Sequence, residues 1–176
     1  MHFYHQLSKL ALVKTGAGKQ IMTGVSTFTG GTSIQQGHLQ VGAGTAATST
    51  AQLGLGSVTI QNGGTLNGVI GSSSGQVLVN TGANLKVGID GNTTAQRLRV
   101  NGALTSDGSL SFDLFTYTAG GGDHANSDYL MIGSNSLVDL NGSLHLENRS
   151  SSDSTTWTSG TWFRLIDWQS SDLANR

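Results

Sequence analysis

The chain has 176 residues, of which 36% are hydrophobic and only 11% charged, and its formal net charge is -1. Such a balance excludes both the basic footprint of a phosphate-backbone binder and the charge excess of a disordered solvating tail, so nucleic acid is not an expected partner. It holds 26 glycines and neither proline nor cysteine, which excludes collagen, polyproline linkers, disulfide scaffolds, thiolate metal sites and cysteine nucleophiles.

The length fits one folding unit. Residues 1–11 contain no clean apolar core followed by a small-residue cleavage site, so they do not read as a secretory signal; they are expected to form an N-terminal cap or a disordered lead. No apolar run approaches the length of a membrane-spanning helix. From residue 12 onward the hydrophobic period is two, the period of a strand, and the strands are separated by turns of glycine and asparagine. Ser57-Val58-Thr59-Ile60-Gln61-Asn62-Gly63-Gly64-Thr65-Leu66 is echoed by Gln76-Val77-Leu78-Val79-Asn80-Thr81-Gly82-Ala83-Asn84-Leu85, with Val58 and Val77, Ile60 and Val79, Gly63 and Gly82, and Leu66 and Leu85 all separated by nineteen positions. That constancy predicts two segments stacked in register. A looser third copy is expected in Leu98 to Leu104, and further ones in Ser109 to Leu114 and in Leu130 through Leu146. Degenerate repeats of about 20 residues are the mark of a solenoid, whose units bury their apolar faces by stacking. A coil of short parallel strands has a narrow interior, so every second residue suffices to fill it, which reconciles the fold with so low an apolar content.

The segment Leu12 to Gly42 also resembles a known family. It opens with Lys14-Thr15-Gly16-Ala17-Gly18, continues through an alternating strand to Phe28-Thr29-Gly30-Gly31-Thr32, and closes on Gly37-His38-Leu39-Gln40-Val41-Gly42. This is similar to the passenger-associated repeat of bacterial autotransporters; Gln20, Ile21 and Met22 replace the usual threonine-leucine pairs, and His38 stands where threonine is common. The resemblance implies an all-β, right-handed parallel β-helix belonging to an exported protein of the Gram-negative outer surface, structural or adhesive in role, not an enzyme, and forming one piece of a longer polypeptide. Its partners would be surface glycans or other surface proteins. On this reading residues 12–42 are the repeat, 43–148 are further rungs, and 149–176 are a loop and a C-terminal aromatic cap.

Candidate chemistry is sparse. Gly120 to Asp128 gathers two carboxylates, an imidazole and an amide, oxygen-rich enough for Ca²⁺, but its spacing fits neither an EF-hand nor a calcium-binding nonapeptide. An insertion between strands is the plainer reading, with Asp128 a turn residue that starts the next strand. His2, His5, His38, His124 and His145 are too dispersed for a metal cluster, and alternation turns His145 outward between Leu144 and Leu146. Lys86, Arg97 and Arg99 resemble the basic residues of β-helical polysaccharide lyases, which also need carboxylates on neighbouring coils; Asp90, Asp113 and Asp139 are the candidates, and stacking of all three on one face would favour catalysis. Lys14 to Lys19 lacks phosphate-loop spacing. Thr27, Thr29 and Thr32 offer a threonine-rich face without a continuing ladder, and Ser150 to Thr156 is a polar low-complexity loop. Trp157, Trp162 and Trp168 suit sugar stacking, although Phe163, Leu165 and Trp168 are better placed to cover the last rung. No catalytic, cofactor-binding or metal-ligating residue and no cofactor is therefore assigned. A carbohydrate-active β-helix or a passive glycan binder is the alternative.

Overall fold

A computed structural model describes residues 9–42, 51–68, 75–115, 126–133, 136–149 and 162–168. These contain fifteen strands and no helix. They are β1 (Leu12–Lys14), β2 (Lys19–Met22), β3 (Thr32–Ile34), β4 (Gly37–Val41), β5 (Val58–Ile60), β6 (Gly64–Gly68), β7 (Val77–Val79), β8 (Asn84–Val87), β9 (Arg97–Val100), β10 (Leu104–Ser106), β11 (Ser109–Leu114), β12 (Tyr129–Ile132), β13 (Val138–Leu140), β14 (Ser143–Asn148) and β15 (Ile166–Trp168).

They stack into three sheets, ordered β1-β3-β5-β7-β10-β13, β2-β4-β6-β8-β11-β14 and β9-β12-β15. Neighbouring strands in each sheet are parallel and lie on successive turns of the chain, so the architecture is a β-solenoid. The nineteen-residue repeat is reproduced in the pairing: Val58 faces Val77, Ile60 faces Val79 and Leu66 faces Leu85. Gly63 donates its amide to the Gly82 carbonyl at 3.0 Å, and both take positive φ, 81° and 77°, as a tight corner between two strands requires.

The third copy differs from expectation. Leu104 and Ser106, not Leu98 and Val100, continue the stack on Val77 and Val79, and Leu110 continues it on Leu85. Leu98 and Val100 lie in β9, the first strand of the third sheet, where they pair with Leu130 and Ile132. The alternation that looked like a new copy is therefore a third side of the same coil.

Alternation explains the core. Ile34, Ile60, Val79 and Leu104 from the first sheet, Leu39, Leu66, Leu85 and Phe112 from the second, and Leu98, Leu130 and Ile132 from the third are all at most 1% exposed. Each such side chain contributes about 1.5–3 kcal/mol on burial. At the corner leading into the first sheet, glycines stack from turn to turn. A Cβ on Gly56 would strike the Gly30 backbone, one on Gly75 the Gly56 backbone, and one on Gly102 the Gly75 backbone. The rungs approach more closely there than any side chain permits, so glycine is a requirement of stacking as well as of turning. The three threonines grouped in one face do not share it: Thr32 is 3% exposed at the inward phase beside Val58, while Thr27 and Thr29 are exposed.

Candidate functional site

The lysine of the Lys-Thr-Gly opening has a structural task. Lys14 occupies an inward-phase position, opposite buried Ile34. Its ammonium Nζ donates to the carbonyls of Thr15 at 2.9 Å, Gly16 at 2.7 Å and Gln36 at 3.1 Å, so one cation ties the first turn to the turn stacked on it. Lys14 to Lys19 is thus a corner between β1 and β2, with no helix to complete a phosphate cradle.

The charged residues meet on the outer face of the second sheet. Strand pairing sets Gln40 beside Asn67, Asn67 beside Lys86 and Lys86 beside Ser111, a row that points away from the core. After β8 the chain turns back through Gly88, whose φ is 85° and which bridges Gly68 antiparallel. Asp90 then comes to lie over the row. Lys86 Nζ is 3.0 Å from Asp90 Oδ1, 3.5 Å from Asp113 Oδ1 and 3.8 Å from Glu147 Oε2. Arg149 completes the cluster, with Nε 3.4 Å from Asp113 Oδ1 and Nη2 3.0 Å from Glu147 Oε2, and Lys19 reaches Asp90 at 3.5 Å. Asp113 and Glu147 face one another on adjacent rungs.

The protonation preferences follow from these surroundings. Burial works to raise the Asp90 carboxyl, but the hydrogen bond and charge of Lys86, with Lys19, outweigh it and hold the group below its ordinary value. Burial raises Asp113, the charges of Lys86 and Arg149 offset this only in part, and the neighbouring Glu147 charge adds to the rise. His38 is lowered by burial despite the nearby Asp90 charge. Beside the cluster, Asp128 is fully buried. Its Oδ1 accepts the Gln96 amide at 2.7 Å, its own amide donates to the Asp113 carbonyl at 2.9 Å, and burial pushes its carboxyl up to about 8. It does precede β12, as a turn residue would, but it works as a buried brace between the segment after β8 and the segment before β12.

Of the candidate residues, the structure therefore unites Lys86, Asp90 and Asp113, and adds Glu147 and Arg149, which sequence reasoning missed. It separates the others. Arg97 and Arg99 lie on β9 in the third sheet, opposite the buried Leu98 and Val100, and Arg99 Nε donates to Asn101 Oδ1 at 2.8 Å. Asp139 lies on β13 in the first sheet, opposite Thr105, so the stack of Asp90, Asp113 and Asp139 does not form. Residues 120–125 of the acidic loop, Ser150 to Thr156, Trp157, His2, His5 and His124 lie outside the described residues. His145 is exposed, as alternation required. Leu165 packs against the core, while Trp162 and Trp168 remain 55% and 45% exposed.

Three cations and three carboxylates thus neutralise one another, and no group of three metal-ligating side chains occurs among the described residues. Next to them, at the corner between the first and second sheets, a groove of about 630 Å³ crosses several rungs and is lined by Thr65, Asn84, Ser109, Ser143 and His145. It offers hydroxyl, amide and imidazole groups and the single carboxylate of Asp107 to a ligand, and no paired carboxylates.

The two strand pairs β1–β2 and β3–β4, with their Lys14 clasp and Gly30 corner, occupy a segment that matches a known family model. Residues 12–41 match the passenger-associated-transport-repeat. Comparison with curated proteins finds no match, and neither does comparison with solved structures. The repeat accounts for two successive rungs, and its inward residues Ile34, Leu39 and Val41 run on in register into Ile60, Leu66 and Gly68 of the next. A passenger repeat points to an exported protein, secreted or surface-exposed.

Proposed function

We propose that the chain is a structural β-solenoid segment of an autotransporter-like passenger, displayed at a Gram-negative outer surface, where it serves as a stalk or adhesive spacer and performs no catalysis. The observation that carries this reading is the continuity of the matched repeat with the rungs that follow it: one stacked core extends from Leu12 to Ile166. The neutralised charges support it, since the carboxylates nearest a lyase arrangement are each held by Lys86 or Arg149. The experiment is display of the chain between a signal peptide and a translocating barrel, scored by protease accessibility on whole cells. Surface exposure that falls when residues 12–41 are deleted supports the assignment; equal exposure without them overturns it.

A second reading, passive glycan binding, is favoured by the groove beside Asn84 and Ser143, whose lining side chains carry hydroxyl and amide groups. Incubation with a panel of neutral and acidic polysaccharides, with and without Ca²⁺, separates the cases. Binding without product, weakened by Asn84→Ala, supports the groove, whereas product release abolished by Asp113→Ala establishes an enzyme.

A further inference from the structure

Beneath Asp90 runs a buried polar row in the middle of the solenoid. Gln40, Asn67, Lys86 and Ser111 stand side by side on the outer face of the second sheet, and all four are buried there. Two of them are committed to other partners: Gln40 Nε2 donates to the Gly42 carbonyl at 2.9 Å, and Ser111 Oγ donates to Asn84 Oδ1 at 2.8 Å. Asn67 is not. Its side chain is fully buried, and neither Oδ1 nor Nδ2 has a hydrogen-bond partner among the described residues. A buried amide without partners is costly and calls for a reason. Its register partner on the next strand is Lys86. Neighbouring strands lie about 4.8 Å apart with side chains of one phase on one face, so the flexible four-carbon stem of Lys86 is long enough to bring Nζ to the amide carbon of Asn67. On the strand that flanks β8 on its other side, Asp113 has an oxygen 3.5 Å from the same Nζ.

We propose that Lys86 and Asn67 join in an intramolecular isopeptide bond, with Asp113 taking the proton that must leave the ammonium. The Lys86 ammonium passes one proton to the Asp113 carboxylate, and the freed amine attacks Asn67 Cγ. The bond from Cγ to Nδ2 then breaks, and Nδ2 leaves as ammonia with a second proton from the amine. A secondary amide replaces an ammonium and a primary amide, one proton stays on Asp113, and net charge is conserved. Burial favours the neutral form of Asp113, which keeps that proton in place. Asp90 also lies beside Nζ, but it is exposed and held ionised by Lys86 and Lys19, and a carboxylate resists nucleophilic attack. Holding amine and amide on adjacent rungs makes the aminolysis intramolecular, and their burial keeps water from competing for the carbonyl carbon. The product ties β6 to β8 covalently, in a chain that has no cysteine with which to cross-link its rungs.

The test is the intact mass of the folded full chain, together with its tryptic map. Expected is a mass one ammonia below that of the sequence and no cleavage after Lys86, since trypsin needs the free cation there. Lys86→Arg keeps a cation beside Asp90 and Asp113 but cannot form the bond, and Asn67→Ala removes the carbonyl carbon while leaving Lys86 in place. Both variants should show the full mass at unchanged circular dichroism. Asp113→Ala removes the proton acceptor and should also retain the ammonia. Full mass in the native chain, or loss of water in place of ammonia, overturns the proposal. So does a loss of ammonia that persists in Lys86→Arg, as ring closure at an Asn-Gly pair such as Asn67-Gly68 would give, and a loss undiminished by Asp113→Ala removes Asp113 from the reaction.

Discussion

Asp128 makes the fold's stability depend on pH in an uncommon direction. The carboxyl is fully buried, one oxygen accepts the Gln96 amide, and the other lies against the Gly88 backbone with no partner among the described residues. Burial raises it to about 8, and the Asp113 charge adds to the shift, against an ordinary value of 3.8 in the unfolded chain. Between those values the folded chain holds a proton that the unfolded chain has released, so stability is greatest below the unfolded value and falls as pH rises toward the folded one. Each unit is worth about 1.4 kcal/mol. From pH 5.5 to 7.5 the loss is therefore about 3 kcal/mol, or roughly 5–10 °C in melting temperature for a chain of this size. Asp113, also raised, acts in the same sense; Asp90, lowered, loses its contribution only below about pH 4; His38, lowered by burial, opposes the trend just below its ordinary value of 6.5. Asp128→Asn isolates the effect, since it keeps an oxygen for the Gln96 amide and cannot ionise. Thermal melts by circular dichroism at pH 5.5, 6.5 and 7.5 should show the native chain losing stability across the series and the variant nearly level, with the two converging at the acid end. A native chain whose melting temperature is flat, or a variant that keeps the full slope, would refute this assignment.

Three further predictions concern the same framework. Lys86→Met leaves Asp113 buried beside Glu147 with only Arg149 to balance both, and should cost about 3 kcal/mol in urea unfolding at pH 7; combining it with Asp113→Leu should recover most of that loss, and a purely additive double variant would deny the pair its coupling. Gly56→Ala forces a methyl group into the Gly30 backbone and should destabilise by more than the gain of about 0.4–1 kcal/mol that such a change brings in open space; a stabilised variant would show that the corner is not tightly stacked. Leu85→Ala in mid-solenoid should cost about 2–5 kcal/mol, while Leu144→Ala, at a position 57% exposed, should cost clearly less; equal losses would mean that Leu144 is as covered as Leu85.

Much of the architecture was legible because a strand writes its pairing into the sequence with period two. Val58, Ile60 and Leu66 recur nineteen positions on, and the rungs stack as that spacing requires. The signal failed where coil length changed. Leu98 to Val100 alternates as well as any copy, yet it forms the third side of the coil, and Leu104 takes the place it was expected to fill. Alternation states which residues share a face and not which sheet owns the strand. Thr32 was misjudged for a related reason: its polarity suggested the outside, while its phase, shared with Ile34, put it inside.

The site shows the same division. Lys86, Asp90 and Asp113 were visible as charges near one another in the chain, but Glu147 and Arg149 join them only because β14 stacks on β11, and Asp139 leaves them because β13 belongs to another sheet. Nothing local marked Asp128 as buried, since the segments that bury it come from both sides of β9 and β12. Composition and period by themselves determined an all-β stacked coil, because backbone pleat and turn geometry are local properties, and the resemblance carried by the Lys-Thr-Gly and Phe-Thr-Gly-Gly-Thr turns placed a passenger repeat at residues 12–42, of which 12–41 match the family model. Which charges meet and which carboxylate is buried were decided by tertiary structure alone, because each depends on the number of residues the chain spends between one rung and the next.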